Sequence, residues 1–211
     1  MNILNRAIEP NEYSCNLYKA AIESLPNTLN DDLTEFEICQ QTLQEYKERQ
    51  QRKEVSVKFD IVHFIHSIYY VDIEQTLIHC FEKELSEKGV FVCIVEELDF
   101  TTMIMQIEWY MKDSESKKNA TTEKMIKIAQ DNGWKHEIYT QKYLIDVTDV
   151  FDEKSNEGNL LLDFFTHTVN FRETADQQKV EETLALIKDN TIVKDGKLVG
   201  KKDESLILIY K

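Results

Sequence analysis

The period of the apolar positions changes several times along the chain, and these changes divide it into strands and helices. Residues 58–71 carry the densest β-branched and aromatic run, with Phe59, Ile61, Val62, Phe64 and Ile65 nearly continuous. Such a run at strand length predicts a parallel strand covered on both faces. Upstream, residues 1–7 predict a short strand that ends at Ile8-Glu9-Pro10, because proline disfavours further pairing. Tyr13, Leu17, Ala20 and Ala21 recur at helical spacing as far as Leu25-Pro26. Residues 33–39 then alternate as a second strand with Phe36 and Ile38 on one face, and the polar run 40–53 predicts a solvated helix.

After the central run, Asp72 is placed to cap a helix whose stripe is Ile73, Leu77, Ile78, Phe81 and Leu85, with Gly89 to close it. Residues 90–95 predict a buried strand, and the methionine-rich segment 101–112 with Trp109 predicts a helix lying partly over a site. Met125, Ile128 and Ala129 mark a helix over 121–132 stopped by Gly133, and 136–150 is strand material. Residues 159–168 form a strongly apolar helix, and Thr174 with Gln177 has the spacing of a capping box opening a helix over 176–188. Asp195-Gly196 marks a hairpin turn within 192–199, and 206–210 is a final strand. Alternating strands and helices with a hairpin last predict an α/β three-layer sandwich, mostly parallel, with an antiparallel strand near the carboxyl end. At 211 residues the chain can bury one core, so a single domain over 1–211 is expected.

Charge narrows the partners. The net charge of -14 opposes binding to phosphate backbones and anionic membranes and favours a cationic small ligand. Cys15, Cys39, Cys80 and Cys93 are widely spaced with no C-x-x-C pair, which suits reduced thiols in a cytoplasmic protein rather than a disulfide framework or zinc site. No apolar run reaches the roughly 20 residues of a membrane span, and the amino terminus lacks a signal-peptide pattern.

Ligands of open α/β sheets sit outside the carboxyl ends of the strands, which points to His66, Ser67, Tyr69 and Tyr70. Glu9 follows the first strand, where an acid can hold ribose hydroxyls; a plain surface turn is the other reading. His63 and His66, three apart on a strand, point to opposite faces and cannot share one metal ion, so a packed His63 and a site-facing His66 are expected. Tyr69, Tyr70, Trp109 and Phe171 either enclose an ammonium group, each contact contributing about 0.5–2 kcal/mol, or are ordinary core. No Ser-His-Asp order, P-loop or paired-carboxylate motif is present. Residue patterns alone thus define an α/β ligand-binding domain.

Several blocks together resemble the class I S-adenosylmethionine-dependent methyltransferases, in the branch that methylates histamine. They are Ile8-Glu9-Pro10, Phe59-Asp60-Ile61-Val62-His63, Tyr69-Tyr70-Val71, the run from Asn156 to Phe164, and Val169-Asn170-Phe171. The resemblance implies a Rossmann-like fold and methyl transfer from S-adenosylmethionine to an imidazole ring nitrogen of histamine or a similar small amine, by a monomer. It implies that Glu9 binds the ribose of the donor, that Ile65 lines its adenosine pocket and that Thr42 lies on the donor side. Tyr69, Tyr70, Trp109 and Phe171 would face the amine. His66 stands where that branch has a substrate-binding glutamine, and Lys202 lies near an expected asparagine. The family's amino-terminal helical region, first strand and glycine-rich loop have no counterpart, so the resemblance also implies a truncated form with a gap in its sheet. The alternatives are a methyltransferase of another small amine, or a non-catalytic remnant that binds a partner through exposed sheet edges.

Overall fold

The computed structural model describes residues 3–26, 34–51, 57–96 and 122–211. Trp109 and the predicted helix over 101–112 lie outside the described residues. Packing divides the chain into two units, Met1–Val57 and Lys58–Lys211.

The first unit contains β1 (Ile3–Ile8), α1 (Glu12–Glu23), β2 (Thr34–Cys39) and α2 (Leu43–Gln51). β1 and β2 pair in parallel, in register from Ile3 opposite Thr34 to Ile8 opposite Cys39. The Asn11 side chain caps α1 by accepting the Ser14 N–H. α2 opens with a capping box: the Thr42 N–H and hydroxyl both donate to Glu45 Oε2, and the Glu45 N–H donates to Thr42 Oγ1. The run 40–53 is not uniformly solvated as expected. Tyr46 is buried, its hydroxyl accepting a 3.1 Å hydrogen bond from the Arg6 guanidinium, which also pairs with Glu37.

The second unit is built on β3 (Phe59–Ile65), β4 (Leu85–Glu96), β5 (Lys135–Asp146), β6 (Thr191–Lys194) and β7 (Lys197–Tyr210). Their order is β3-β4-β7-β5, with β6 also on β7. β3 is parallel to β4, while β4 and β5 are both antiparallel to β7. β3, β4 and β5 therefore run one way and the carboxyl-terminal strand runs against them, the α/β arrangement expected. The helices are α3 (Ile73–His79), α4 (Thr122–Asp131), α5 (Asn156–Thr166), α6 (Phe171–Thr174) and α7 (Gln177–Asp189).

Several local expectations hold. Asp72 accepts the Gln75 N–H and caps α3, Gly133 leaves α4 at φ +70, and Asp195 and Gly196 take φ of 52 and 77 in the hairpin turn. Both central residues of that turn have positive φ, the backbone that matches strand twist. Others do not hold. The helix expected to reach Gly89 ends in a π-helical turn at Cys80–Glu84, and β4 begins at Leu85. Gly89 instead lies inside β4, where a Cβ would stand 2.9 Å from the Leu85 side chain and 3.1 Å from the Phe59 carbonyl oxygen. Thr174 forms no capping box; its hydroxyl donates back to the Asn170 carbonyl within α6. The final strand is longer than 206–210 because β7 continues directly from the hairpin.

β3 is covered on one face only. Val62 and Phe64 pack on the first core, while Ile61, His63 and Ile65 on the other face are exposed. The expectations of burial on both faces and of a packed His63 are corrected accordingly. The first core joins Leu77 and Phe81 to Phe91, Cys93, Met125, Ile128 and Ile207, and Phe81 stacks on Trp134 with centroids 3.8 Å apart. Each large side chain so buried contributes about 1.5–3 kcal/mol. A second core gathers Val150, Leu162, Phe165, Phe171, Val180 and Ile187. Among the described residues no helix is long and apolar enough to cross a membrane.

Candidate functional site

In the first unit, parallel pairing sets the carboxyl ends of β1 and β2 side by side, and the Glu9 N–H donates to the Cys39 carbonyl oxygen at 3.1 Å. Glu9 Oε1 accepts the Asn11 N–H at 2.7 Å, while Oε2 has no hydrogen bond among the described residues. Thr42, three residues beyond β2, commits its hydroxyl to the capping box. A depression of about 380 Å³ lies nearby, lined by Arg6, Glu37, Ile38, Cys39 and Arg49. Neither Glu9 nor Thr42 lines it.

In the second unit, the site residues follow β3. Ile65, its last residue, is 45% exposed. His66 takes a left-handed backbone at φ 50, and its N–H donates to the Ile94 carbonyl oxygen at 3.0 Å, extending the ladder by one bond. The chain then tightens into a 3-10 turn, Ile68–Tyr70, anchored by fully buried Ile68. This turn separates the two tyrosines. The half-buried Tyr69 accepts the Glu96 N–H on its hydroxyl at 2.5 Å, and burial pushes its phenol pKa up. Tyr70 is 67% exposed.

Strand register brings further polar groups to the same place. Glu96 of β4 lies opposite Glu204 of β7, and Tyr143 of β5 lies opposite Lys202 of β7. The Lys202 ammonium is 2.5 Å from Glu96 Oε1 and 3.4 Å from Glu204 Oε1. Glu204 Oε1 also accepts the Tyr143 hydroxyl and lies 3.5 Å from His66 Nε2. Burial opposes the charge on Lys202, but Glu96 and Tyr143 outweigh it and hold the ammonium above the ordinary lysine value. Burial also opposes the charge on Glu204, but Tyr143, Lys202 and His66 outweigh it and keep that carboxyl below its ordinary value. His66, Glu96 and Glu204 bring their ligand atoms within 4.8 Å of one another, a spacing a metal ion could use. The Lys202 ammonium already supplies a cation against both carboxylates.

Sequence reasoning found His66 and Tyr69 but missed Glu96, Tyr143 and Glu204. The available signal was the acidic pair Glu96-Glu97 after the apolar run of β4, and Lys202 and Glu204 on the same alternate set of β7 positions as the half-buried Leu206 and Leu208. Phe171 is not at this cluster; it is 1% exposed inside the second core. The block around it builds a loop. Asp163 accepts the N–H groups of Asn170 and Phe171 at 2.7 and 2.8 Å, and Arg172 donates to the Val150 carbonyl oxygen at 2.6 Å. Gly158 sits against the preceding 3-10 turn (Thr148–Phe151), where a Cβ would lie 1.9 Å from the Asp149 carbonyl oxygen.

The strand order and the antiparallel last strand are those of Rossmann-like methyltransferases. A putative methyltransferase from Bacillus halodurans superposes with a TM-score of 0.54 at 12% identity, covering 99% of this chain and 83% of that one. The YcgJ protein of Bacillus subtilis gives 0.57 at 8% identity, covering 98% and 81%. No family model matches the sequence. Among curated proteins the chain is similar to the histamine N-methyltransferases of Bos taurus, 26% identical over 99% of this chain and 72% of that protein, and of Rattus norvegicus, 27% over 98% and 71%. Carnosine N-methyltransferase 2 of Gallus gallus is 24% identical over 98% of this chain and 64% of that protein. Fold and relatives agree on the class, a transferase of the methyltransferase kind on a Rossmann-like sheet. Within that class, the proteins that this chain is similar to along nearly its whole length are histamine N-methyltransferases.

Proposed function

We propose that the chain is a small-molecule N-methyltransferase that methylates an imidazole ring nitrogen of histamine, with S-adenosylmethionine as donor, working as a cytoplasmic monomer in which residues 1–211 act as one domain. The observation that carries this reading is the similarity to histamine N-methyltransferases over 98% or more of the chain. All four cysteines are free thiols, in keeping with a reducing compartment.

The residues present fit the nucleoside end of the donor. In the first unit Glu9 is a carboxylate just past a parallel strand with one oxygen open, which suits a ribose diol. In the second unit, taken by itself, Ile65 is an exposed apolar side chain at a strand end, the kind of surface an adenine takes. Thr42 flanks the donor side. All five glycines fall at or beyond Gly89, so the connection from β1 to α1, through Pro10, has no glycine turn for the amino-acid end. S-adenosylmethionine, when bound, brings its methyl already activated on a sulfonium. The protein's work is then to orient and dehydrate the acceptor. In this reading the 67% exposed Tyr70 meets a cationic amine, and Tyr69 is fixed by its hydrogen bond from the Glu96 N–H. Trp109 adds a further wall to the amine side in this reading, and Phe171 acts from the core by holding the α5–α6 loop.

Replacing Glu9 with alanine removes charge-assisted hydrogen bonds of about 1.5–3 kcal/mol, so donor affinity measured by calorimetry falls roughly 10- to 100-fold. Unchanged affinity refutes the role of Glu9. A second reading, methylation of a different imidazole amine such as carnosine, is favoured by Lys202 and His66, both gathered around Glu204 on the acceptor side in this reading, and by the chicken relative. Comparing turnover of histamine and carnosine decides between them. If the chain is instead a non-catalytic binding protein, a reading favoured by the exposed Ile61 and Ile65 on β3, calorimetry detects no donor binding at all.

A further inference from the structure

We propose that His66 is the proton acceptor for the imidazole ring being methylated, with Glu204 as the residue that positions it. The inference deepens the methyltransferase reading and rests on it for the identity of the substrate. Three independent features converge on His66. Its backbone is held left-handed, at φ 50, immediately after β3, while its N–H is tied to Ile94. A non-glycine residue in that region is strained, and such strain persists where the surroundings hold it and collects at functional sites.

The second feature is the distribution of charge. The imidazole faces Glu204 of β7 and lies within 4.8 Å of the Glu96 carboxylate of β4. These two carboxylates are joined by Lys202 of β7, with the Tyr143 hydroxyl of β5 on Glu204 and the Tyr69 hydroxyl on the Glu96 N–H. Two carboxylates face one ammonium, and Lys202 lies closer to Glu96 than to Glu204. The cluster is one positive charge short of neutrality, and it becomes neutral when His66 takes a proton. Glu204 Oε1, already holding the Tyr143 hydroxyl, faces Nε2 at 3.5 Å; Nδ1 has no partner among the described residues.

The third feature is access. The His66 side chain is 38% exposed at the carboxyl end of a parallel strand. The other histidine–glutamate pair of this unit, His79 with Glu84, is tighter at 3.1 Å, and its histidine is only 14% exposed, as befits a structural pair. His66 has the looser contact and open ring nitrogen of a group that meets a ligand.

The step balances without a further reactant. With Nε2–H directed at Glu204, Nδ1 of His66 is free to accept a proton. The substrate ring nitrogen that carries no hydrogen attacks with its lone pair, and the N–CH3 bond forms as the donor's S–CH3 bond breaks and leaves its electron pair on sulfur. The lone pair on Nδ1 takes the proton of the other ring N–H, whose bonding pair stays on the substrate ring. The imidazolium so formed is stabilised by the Glu204 carboxylate and returns its proton to water through its exposed edge.

The test uses the full chain with its histidines labelled with nitrogen-15. Proton–nitrogen spectra at pH 7.5 are expected to show His66 as the Nε2–H form, with a shift at Nδ1 on adding histamine. Glu204→Leu, which removes the acceptor facing Nε2, is expected to leave His66 as a mixture of the two ring N–H forms, a change that a purely structural role of Glu204 would not produce. In methyl transfer from S-adenosylmethionine to histamine, His66→Asn, which keeps the left-handed backbone at little cost, is expected to lower kcat about 100-fold and remove the acid limb of the pH profile. Donor affinity stays within about twofold, since His66 does not contact the donor in this scheme. An Nδ1–H form, no response of His66 to histamine, or an unchanged kcat and pH profile in His66→Asn each overturns the proposal. If wild-type chain neither binds the donor nor methylates histamine, the methyltransferase reading fails and takes this proposal with it, whereas methylation of histamine that is unaffected by His66→Asn overturns this proposal alone.

Discussion

Lys202 is 8% exposed and stands between two carboxylates, so replacing it with methionine, of similar length but uncharged, is the sharpest probe of the charge cluster. At an effective dielectric of about 20, unit charges 3.4 Å apart attract by roughly 5 kcal/mol, and much of that is offset by desolvation of the ions. Removing one partner of a buried pair costs about 3–5 kcal/mol, and the partial exposure of Glu96 and Glu204 reduces this to about 2–3 kcal/mol. For a chain of this size that is a Tm lower by roughly 4–12 °C. The sign with pH follows from Glu204, whose carboxyl is held below its ordinary value. Its contribution is present above the unfolded value, about 4.3, and is lost as pH falls through the lower folded value. Lys202 is held above its ordinary value, so its contribution is fully present below about 10.4 and lost only as pH rises through the folded value. Both are in force at pH 7.5. Without Lys202, Glu204 loses the ammonium that helps hold its carboxyl low and takes up a proton more readily, so the gap between the two proteins narrows as the solution is acidified. Urea unfolding followed by circular dichroism at pH 7.5 and pH 4 measures it. A variant within about 0.5 kcal/mol of wild type at pH 7.5, or a gap unchanged at pH 4, refutes the cluster as described.

Two further outcomes follow from packing. Gly158→Ala places a methyl group 1.9 Å from the Asp149 carbonyl oxygen, so α5 must move off the 3-10 turn at a cost of about 3 kcal/mol or more, seen as loss of the second core in thermal unfolding; wild-type stability contradicts the contact. Burial pushes the Cys93 thiol up to about 12, so at pH 8 iodoacetamide leaves Cys93 unmodified in the folded protein while the half-exposed Cys39 reacts; equal labelling contradicts that burial.

Much of the fold was legible because its signals are local. Asp72 before an apolar stripe, Gly133 after another and Asp195-Gly196 between alternating runs each state a cap or turn within four or five residues. The stretch from Cys80 to Gly89 was not legible. Leu85 continues the helical spacing of Leu77 and Phe81, yet the chain turns through a π-helical turn and Leu85 pairs with Phe59 as a strand residue. Short apolar runs satisfy both periods, and only the partner strand decides. The capping box at Thr42 and Glu45 was present as a local pattern and went unread, while Thr174 and Gln177 matched the pattern without forming one.

The site divides the same way. His66 and the tyrosines were visible because they follow a recognisable strand. Glu96, Tyr143 and Glu204 meet them only through the β4–β7 and β5–β7 registers, contacts spanning 61 residues in the case of Tyr143 and Glu204. Register of that range is not written in any window of the sequence. For Phe171 the sequence left an amine-facing aromatic and ordinary core both open, and the side chain packs in the second core.

The most direct measurement is transfer of an isotopically labelled methyl group from S-adenosylmethionine to histamine by the purified 211-residue chain, with the product located by mass spectrometry. The account predicts label on a single imidazole ring nitrogen; no transfer to histamine, whether or not another amine is labelled, contradicts it.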